Sequence, residues 1–193
     1  IQLAEDTGLI LRIGDWVLGA VCRWGALSPL AKDMTVSVNL SARQFADPKL
    51  VDIVKRALED SGLPAPRLEL EVSEATAMQH SEPAMQTLRK LRALGVTLVI
   101  DDFGTSYSSL VNLKRYPIDK LKIDKSLIGS IPADADSADI VVAVVDLAHA
   151  LGLKVVAEGV ETEEQENVLR NAGCDFMQGF RPGPPMDLES TKV

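Results

Sequence analysis

Residues 96–101 read Val-Thr-Leu-Val-Ile-Asp, an almost unbroken apolar run that ends in a carboxylate. A run of this kind predicts a parallel strand covered on both faces of a sheet. Immediately before it stands Gly95, and before that lies Ala84–Leu94, where apolar residues recur at intervals of three. That spacing predicts an amphipathic helix, and glycine favours the left-handed cap that ends one. The local unit is therefore a helix followed by a buried strand.

The same unit recurs along the chain. Short runs rich in Val, Ile and Leu predict six strands, at Thr35–Leu40, Arg67–Val72, Val96–Asp101, Lys120–Asp124, Lys154–Glu158 and Cys174–Phe180. Helical spacing predicts helices before and between them, at Asp15–Trp24, Leu50–Ser61, Ala84–Leu94 and Ile140–Leu151. Strands that alternate with helices indicate an α/β fold with a parallel sheet, either an open doubly wound sheet or a closed barrel.

Local signals mark where these helices begin and end. Ser41 with Gln44, and Thr162 with Gln165, each fit the capping box, in which a hydroxyl and a glutamine three residues later satisfy the first helical amides. Glycines suited to a left-handed cap follow four helical stretches, at Gly62, Gly95, Gly152 and Gly173. The element boundaries are thus predicted by two independent kinds of signal.

Composition excludes several classes of protein. The 28 acidic and 20 basic residues give a net charge of −8, which argues against a DNA-binding or RNA-binding coat because such a surface is positive. No apolar run approaches the ~18 residues that span a bilayer, and no G-x-G-x-x-G follows a strand. Cys22 and Cys174 are predicted to be reduced. The absence of a leader pattern predicts a cytoplasmic location.

Polar residues stand at the end of each predicted strand. They are Asn39, Glu71 with Glu74, Asp101 with Asp102, Lys122 with Asp124, Glu158, and Gln178. In a (β/α)₈ barrel the carboxyl ends of the strands converge on one face, where active sites form. Clustered carboxylates repel one another unless a cation lies among them, and hard divalent cations prefer oxygen ligands. The pattern predicts a metal-dependent barrel enzyme.

Each of these residues also has a plainer interpretation. Asn39 fits a helix cap, and Glu71 fits a solvent-facing residue of an edge strand. Lys122 fits an edge residue that extends its ammonium to solvent, and Gln178 fits an ordinary polar surface residue. The adjacent Asp101 and Asp102 are harder to explain in this way, because two carboxylates after an apolar run are costly without partners.

The run Asp101–Leu110 (DDFGTSYSSL) resembles the DDFGTGYSSL loop of EAL domains, the bacterial cyclic di-GMP phosphodiesterases. The resemblance covers the whole chain. It includes LAEDTGLILRIGDWVL (3–18), SVNLSARQF (37–45), LELEVSE (68–74), YPIDKLKIDKSLI (116–128), VVAEGVET (155–162) and CDFMQGF (174–180). Several motifs in the same order make the resemblance specific. It implies a modified TIM (β/α)₈ barrel that hydrolyses cyclic di-GMP to linear pGpG with two Mg²⁺ or Mn²⁺ ions.

The resemblance also implies a role for each residue at a strand end. Asn39, Glu71 and Asp101 correspond to ligands of one metal, and Asp101 would bridge to a second metal held by Asp102 and, through water, by Glu158. The catalytic residues would be Lys122, which orients or activates the attacking water, with Glu158 and Gln178 in the same water network. Glu74 corresponds to the anchor of the 101–105 loop, and Asp124 to a substrate-binding residue.

The sequence departs from the family pattern in two places. Ser106 replaces a usual glycine, and if that position needs a positive φ the serine costs about 1 kcal/mol. The Glu-Ala-Leu motif that names the family, and its metal-binding glutamate, would lie before Ile1. The expectation is that 1–193 forms a single EAL-type barrel domain of about six βα units, without the first two strands, with weak or no activity as this chain alone.

Other functions remain open at this stage. A cyclic di-GMP receptor that does not cleave, or a protein-interaction domain, would have the same fold. The intact acidic residues favour the phosphodiesterase. The family also implies a homodimer through the region of the 101–105 loop, and flanking sensory or GGDEF domains.

Overall fold

The computed structural model describes residues 1–78, 82–105, 113–131 and 135–186. Ser106, where the sequence departs from the family pattern, lies outside the described residues. The chain divides into two compact units, residues 1–99 with 116–118 and residues 100–115 with 119–191. Over the described parts of the chain, six strands are hydrogen-bonded in the order in which they occur in the sequence.

The first unit contains two complete strands among helices. Its elements are α1 (Gln2–Thr7), α2 (Leu9–Leu27), β1 (Val36–Leu40), α3 (Ala42–Phe45), α4 (Leu50–Ser61), β2 (Leu68–Ser73), α5 (Glu74–Ala77) and α6 (Glu82–Ala93). Two short 3₁₀ helices lie at Pro29–Ala31 and Ala65–Arg67. β1 and β2 are parallel, and their register pairs Asn39 with Glu71.

The core of this unit lies between α2, α4 and the two strands. Leu18 and Cys22 of α2 are buried with Val54 of α4 and with Leu68 and Leu70 of β2. Each fully buried leucine stabilises the fold by about 1.5–3 kcal/mol relative to exposure. The packing of α2 on β1 and α4 therefore contributes, with the pairing of β1 and β2, to the stability of the first unit.

Arg67 fastens the chain that leads into β2. Its guanidinium donates hydrogen bonds to three backbone carbonyls, those of Met34 at 2.8 Å, Gly25 at 2.9 Å, and Ala31. These carbonyls lie at the end of α2 and in the turn after it, where helical partners are lacking. One side chain thus joins the carboxyl end of α2 to the start of β2.

The second unit begins inside β3 (Thr97–Phe103), whose last residues belong to it. Its other elements are β4 (Lys120–Ile123), α7 (Lys125–Ile128), α8 (Ala135–Ala150), β5 (Lys154–Ala157), α9 (Glu163–Asn171) and β6 (Phe176–Met177). β4 and β5 are parallel with Lys122 opposite Val156, and β5 and β6 are parallel with Ala157 opposite Met177.

The predicted strands and helices are confirmed, with differences at their ends. α2 is longer than the predicted Asp15–Trp24 and begins at Leu9. The break that precedes it is at Gly8, whose φ of 76° separates α2 from α1. β6 is shorter than predicted. At its start the Asp175 carboxylate, and not a backbone carbonyl, accepts the Val155 N–H at 2.9 Å, so a side chain replaces the first rung of the ladder.

The capping signals are confirmed as well. Both capping boxes are present, with Ser41 accepting from the Gln44 N–H and Thr162 from the Gln165 N–H. The four predicted cap glycines have φ between 73° and 88°. Cys22 and Cys174 are free thiols, and burial raises the pKa of Cys22 to about 11. In the described part of the chain, no helix is both long enough and apolar enough to cross a bilayer.

Candidate active site

The end of β3 carries the two adjacent carboxylates. Asp102 has φ 56°, and among the described residues it is the one non-glycine with a positive φ. Its N–H donates to Asp101 Oδ1 at 3.0 Å, and its carbonyl accepts from Thr105 Oγ1 at 2.9 Å. The chain therefore turns sharply at Asp102. In a straight strand these neighbours would face opposite sides, so the turn is what brings their carboxylates together.

Lys122, on β4, joins the carboxylates of two strands. Its Nζ lies 3.2 Å from Asp101 Oδ1 and 2.7 Å from Glu158 Oε1. The lysine side chain is only 6% exposed, and those of Asp101 and Glu158 are 13% and 19% exposed. Lys122 is therefore a buried cation paired with two acids, and the alternative of an edge residue that extends its ammonium to solvent is wrong.

Backbone hydrogen bonds align the strand ends that carry these side chains. The Glu158 N–H donates to the Ile123 carbonyl at 3.1 Å, and the Asp124 N–H donates to the Phe103 carbonyl at 3.2 Å. The ladder thus continues one residue beyond the ends of β4 and β5. The sheet therefore aligns the backbone of Glu158, and the Glu158 carboxylate pairs with Lys122.

Three carboxylates of this unit form a cluster suited to a metal ion. Asp101, Asp102 and Glu158 each offer an oxygen, and these atoms all lie within 4.8 Å of one another. Burial raises the pKa of Asp102, and the negative charges of Asp101 and Asp124 raise it further, while Lys122 opposes them. The oxygen donors and the unfavourable crowding of negative charge both fit a hard divalent cation.

Asp124 has a structural partner at the start of α7. Its carboxylate accepts the Ser126 N–H at 2.9 Å, which makes it the N-cap of that helix. Burial alone would raise the pKa of Asp124, but the hydrogen bonds from Ser126 and the charge of Lys125 outweigh it and lower the pKa. A contact with substrate stays a prediction, and the cap explains why an acid stands here.

Gln178 is exposed, and its backbone hydrogen bonds fix its position. Its N–H donates to the Ala157 carbonyl at 2.8 Å, and its carbonyl accepts the Val160 N–H at 3.0 Å. The following Gly179 has φ 155°, and a Cβ there would lie 2.3 Å from the Val160 carbonyl oxygen. The close approach places Gln178 beside the chain that follows Glu158. A role for its amide in catalysis stays a prediction.

In the first unit, the predicted ligands Asn39 and Glu71 are neighbours. They are register partners on β1 and β2, where Asn39 is exposed and Glu71 is 6% exposed. The alternative that Glu71 is a solvent-facing edge residue is therefore wrong. Glu74, at the start of α5, is 1% exposed. The metal-ligand and loop-anchor roles of these three residues stay predictions.

Two polar residues of the second unit have more partners than the sequence indicates. Gln165, predicted only as part of a capping box, also donates to the carbonyl of the last residue of α7, Ile128, and to that of Ile131. Asp175 accepts hydrogen bonds from His149 at 2.8 Å and Lys154 at 3.1 Å, besides the Val155 N–H. The capping-box position was a signal for Gln165. For Asp175 none was available, because its partners lie 20 or more residues away.

Comparison with known proteins places these residues in context. Residues 1–185 match the EAL domain family. A bifunctional diguanylate cyclase/cyclic di-GMP phosphodiesterase, MucR of Pseudomonas aeruginosa, is 49% identical over 193 residues, which are 98% of this chain and 28% of that protein. The cyclic di-GMP phosphodiesterase NbdA of the same organism is 45% identical over 190 residues, or 97% of this chain and 24% of that protein. The chain thus spans about a quarter of the length of these relatives.

A solved structure gives the same result for the fold. The PaMucR phosphodiesterase in complex with c-di-GMP superposes with a TM-score of 0.92 at 49% identity, covering 97% of this chain and 77% of that one. The fold class, an α/β fold of the modified TIM-barrel type, is therefore confirmed.

Proposed function

This chain belongs to the EAL domain family, and on that premise we propose that it hydrolyses one phosphodiester bond of cyclic di-GMP to give linear pGpG. The observation that carries the proposal is the cluster of Asp101, Asp102 and Glu158 around the Lys122 ammonium. The relatives named cyclic di-GMP phosphodiesterases and the related c-di-GMP complex support the choice of substrate.

We propose that two divalent cations, Mg²⁺ or Mn²⁺, bind at the strand ends. Asp101, Asp102 and Glu158 have the oxygen donors for such ions, and their crowding would be relieved by positive charge. When bound, the cations would lower the pKa of a coordinated water and neutralise phosphate charge. Asn39 and Glu71 are carried as further ligands by the family resemblance.

Lys122 contributes a fixed positive charge in the same place. Because its ammonium is held between Asp101 and Glu158, it cannot rotate away towards solvent. A donor fixed before the reaction stabilises developing negative charge at no reorganisation cost, which is worth about 10²–10³ in rate at sites of this type. Its proposed role is to donate hydrogen bonds to the attacking water or to a phosphate oxygen. Gln178 would assist in orienting that water.

The test is product analysis with the purified protein. Cyclic di-GMP is incubated with Mg²⁺ or Mn²⁺, and pGpG is measured by chromatography. Asp101→Asn should lower the rate by at least about 10²-fold, since it removes a charge that holds both Lys122 and a cation. Asp146→Asn is the matched control. It makes the same chemical change at an exposed residue of α8, away from the cluster.

Three results would contradict the proposal. If Asp101→Asn forms product at the parental rate, the cluster is not the reaction centre. If the purified full-length protein binds cyclic di-GMP in calorimetry but forms no pGpG with either metal, this domain is a receptor. Absence of both binding and product would indicate an interaction domain.

A further inference from the structure

We propose that Gln165 is a positioning residue for Glu158. It acts by hydrogen-bonding the segment after β5 to the carboxyl end of α7 and the residues that follow it. This inference rests on the proposed function, since it assigns Gln165 to the same reaction site. Gln165 is 5% exposed and lies in the first turn of α9, seven residues after Glu158. Within the described part of the chain, its side-chain hydrogen bonds reach neither the carboxylate cluster nor Lys122, so its effect must pass through the backbone.

The side chain of Gln165 uses its full hydrogen-bonding capacity. Its Oε1 accepts the N–H groups of Glu161 at 2.8 Å and Thr162 at 3.0 Å. Its Nε2 donates to the carbonyls of Ile128 and Ile131, both at 3.2 Å. A glutamine amide has two acceptor sites and two donor hydrogens, and all four are engaged.

These four bonds divide into two functions. The acceptor bonds hold the start of α9, and a capping box needs only these. The donor bonds reach the end of α7, 37 residues away in sequence, and the residue three positions later, 34 residues away. Capping therefore does not account for the donor bonds, which join the start of α9 to the carboxyl end of α7 and the residues just after it.

The segment between Glu158 and Gln165 is also held by close packing. A Cβ on Gly159 would lie 2.5 Å from Lys125 Cβ, so Gly159 lets this chain lie directly against the first residue of α7. On its other side, Val160 exchanges hydrogen bonds with Gln178 and Arg181. Gln165 supplies the polar fastening on the α7 side of this packed segment.

The consequence concerns the geometry of Glu158. Lys122 lies two residues before Asp124, which caps α7, and Glu158 lies just before the packed segment. The 2.7 Å contact between Lys122 and Glu158 thus joins the same two segments that Gln165 joins on the far side of α7. If the donor bonds are lost, the two segments can separate, and the Glu158 carboxylate moves relative to Lys122 and Asp101.

Two substitutions at Gln165 separate capping from positioning. Gln165→Glu keeps both acceptor bonds and serves a capping box as well as glutamine does, but it has no donors for Ile128 and Ile131. Gln165→Met keeps the length and removes all four bonds. Thr162→Ala is the control, because it removes the N-cap hydroxyl of the same helix and leaves the Gln165 amide in place.

The measurements are Mn²⁺ affinity of the purified protein, by electron paramagnetic resonance, and kcat and KM for cyclic di-GMP. We expect Gln165→Glu and Gln165→Met each to weaken Mn²⁺ binding about tenfold, as is typical when the support of a ligand is removed. The KM for cyclic di-GMP should change less than twofold. Thr162→Ala should stay within twofold of the parent in both Mn²⁺ affinity and kcat.

Several results would overturn the inference. Parental Mn²⁺ affinity in Gln165→Glu would mean that Gln165 acts as a cap alone. An equal loss in Thr162→Ala would mean that general weakening of α9 is responsible. If neither Gln165 variant folds, the same Mn²⁺ criterion is applied to Gln165→Asn, whose amide is one methylene too short to keep the bonds to Ile128 and Ile131. Failure of the proposed function is distinguishable, since Mn²⁺ affinity is measured without turnover.

Discussion

The chain contains two segments with the same local plan. The β1-end segment (39–45) has a strand-end Asn39 followed by the capping box of Ser41 and Gln44, and the β5-end segment (158–165) has Glu158 followed by the box of Thr162 and Gln165. The two N-cap hydrogen bonds have the same length, 3.2 Å. Their glutamines nevertheless have different surroundings.

The difference lies in what each glutamine meets beyond its own helix. Gln44 lies against Gly14 of α2. A Cβ at Gly14 would come within 1.8 Å of Gln44 Nε2, so the glycine leaves room for the Gln44 side chain. Gln165 instead meets two backbone carbonyls and bonds to both. The comparison teaches that a local motif determines where a helix begins, while its tertiary neighbours determine what else the motif does.

The largest effect should separate the two strand-end residues. Glu158→Gln should lower turnover of cyclic di-GMP by about 10²–10³-fold, because Glu158 is charged and contacts Lys122 directly. Asn39→Ala should cost about tenfold, because on the proposed function it would remove one neutral oxygen ligand of a cation. The measurement is steady-state kinetics of both variants in Mn²⁺. Equal losses would mean that the two segments contribute alike to catalysis, which would break the comparison.

The next largest difference should be in the stability cost of replacing Gly159, in the β5-end segment, and Gly14, which packs against the β1-end segment. Gly159→Ala combines a φ of 69° with a Cβ contact of 2.5 Å to Lys125 Cβ, so it should lower the free energy of unfolding by about 3 kcal/mol. Gly62→Ala is the matched control, with φ 73° and nothing within 4 Å, and should cost only about 1 kcal/mol. Urea unfolding of each variant measures both values.

The β1-end counterpart of that experiment is Gly14→Ala. Its φ is ordinary, and the new methyl meets the far end of the Gln44 side chain, which can move. The loss should therefore be about 1 kcal/mol, after the gain in helix propensity offsets part of the overpacking. A loss of Gly14→Ala as large as that of Gly159→Ala would mean that Gln44 is fixed as firmly as the chain at Gly159.

The start of β5 gives a pH-dependent prediction. Burial alone would raise the pKa of Asp175, but hydrogen bonds from His149, the Val155 N–H and Lys154 outweigh it and lower the pKa to about 2. A carboxyl with a depressed folded pKa stabilises the fold above its unfolded pKa of about 3.9. This contribution is lost as the pH falls from about 4 towards 2.

The expected loss is about 1–2 kcal/mol, reduced from the full linkage value because Lys154 and His149 are partly exposed. Urea unfolding at pH 5 and pH 3, in the parent and in Asp175→Asn, measures about half of this loss, because the rest occurs below pH 3. The variant should be less stable at pH 5 and should lose less stability on acidification. An equal pH dependence in both proteins would place the titrating group elsewhere.

The smallest effect should be a difference near zero. Ser41→Ala and Thr162→Ala each remove one N-cap hydrogen bond of the same length, so each should cost about 1 kcal/mol of unfolding free energy. Thermal unfolding of both variants tests this. A difference of more than about 1 kcal/mol would mean that the two boxes are not equivalent even as caps.

The sequence was sufficient for elements whose cause is local. β3 and β5 follow from apolar runs, and the ends of α4 and α6 follow from Gly62 and Gly95. The convergence of Asp101, Lys122 and Glu158 could also be predicted, because parallel strands bring their carboxyl ends to the same edge. In each case a short stretch of chain contained the physical cause.

What could not be predicted depends on distant neighbours or on single torsions. The donor bonds of Gln165 join residues 34 and 37 positions apart, and no local pattern reports such a pairing. The left-handed φ of Asp102 is equally hidden, since aspartate also adopts ordinary strand geometry. Burial of Glu71 beside the exposed Asn39 depends on the register and covering of β2.

The left-handed turn at Asp102 also bears on how this site can change in evolution. Asparagine tolerates a positive φ about as well as aspartate, whereas most other residues do not. A single Asp102→Asn substitution therefore removes a carboxylate from the cluster and leaves the backbone turn intact. Shape and charge are separately heritable at this position. On the proposed function, one substitution here would remove a ligand of the cation and leave the backbone shape of the strand end unchanged.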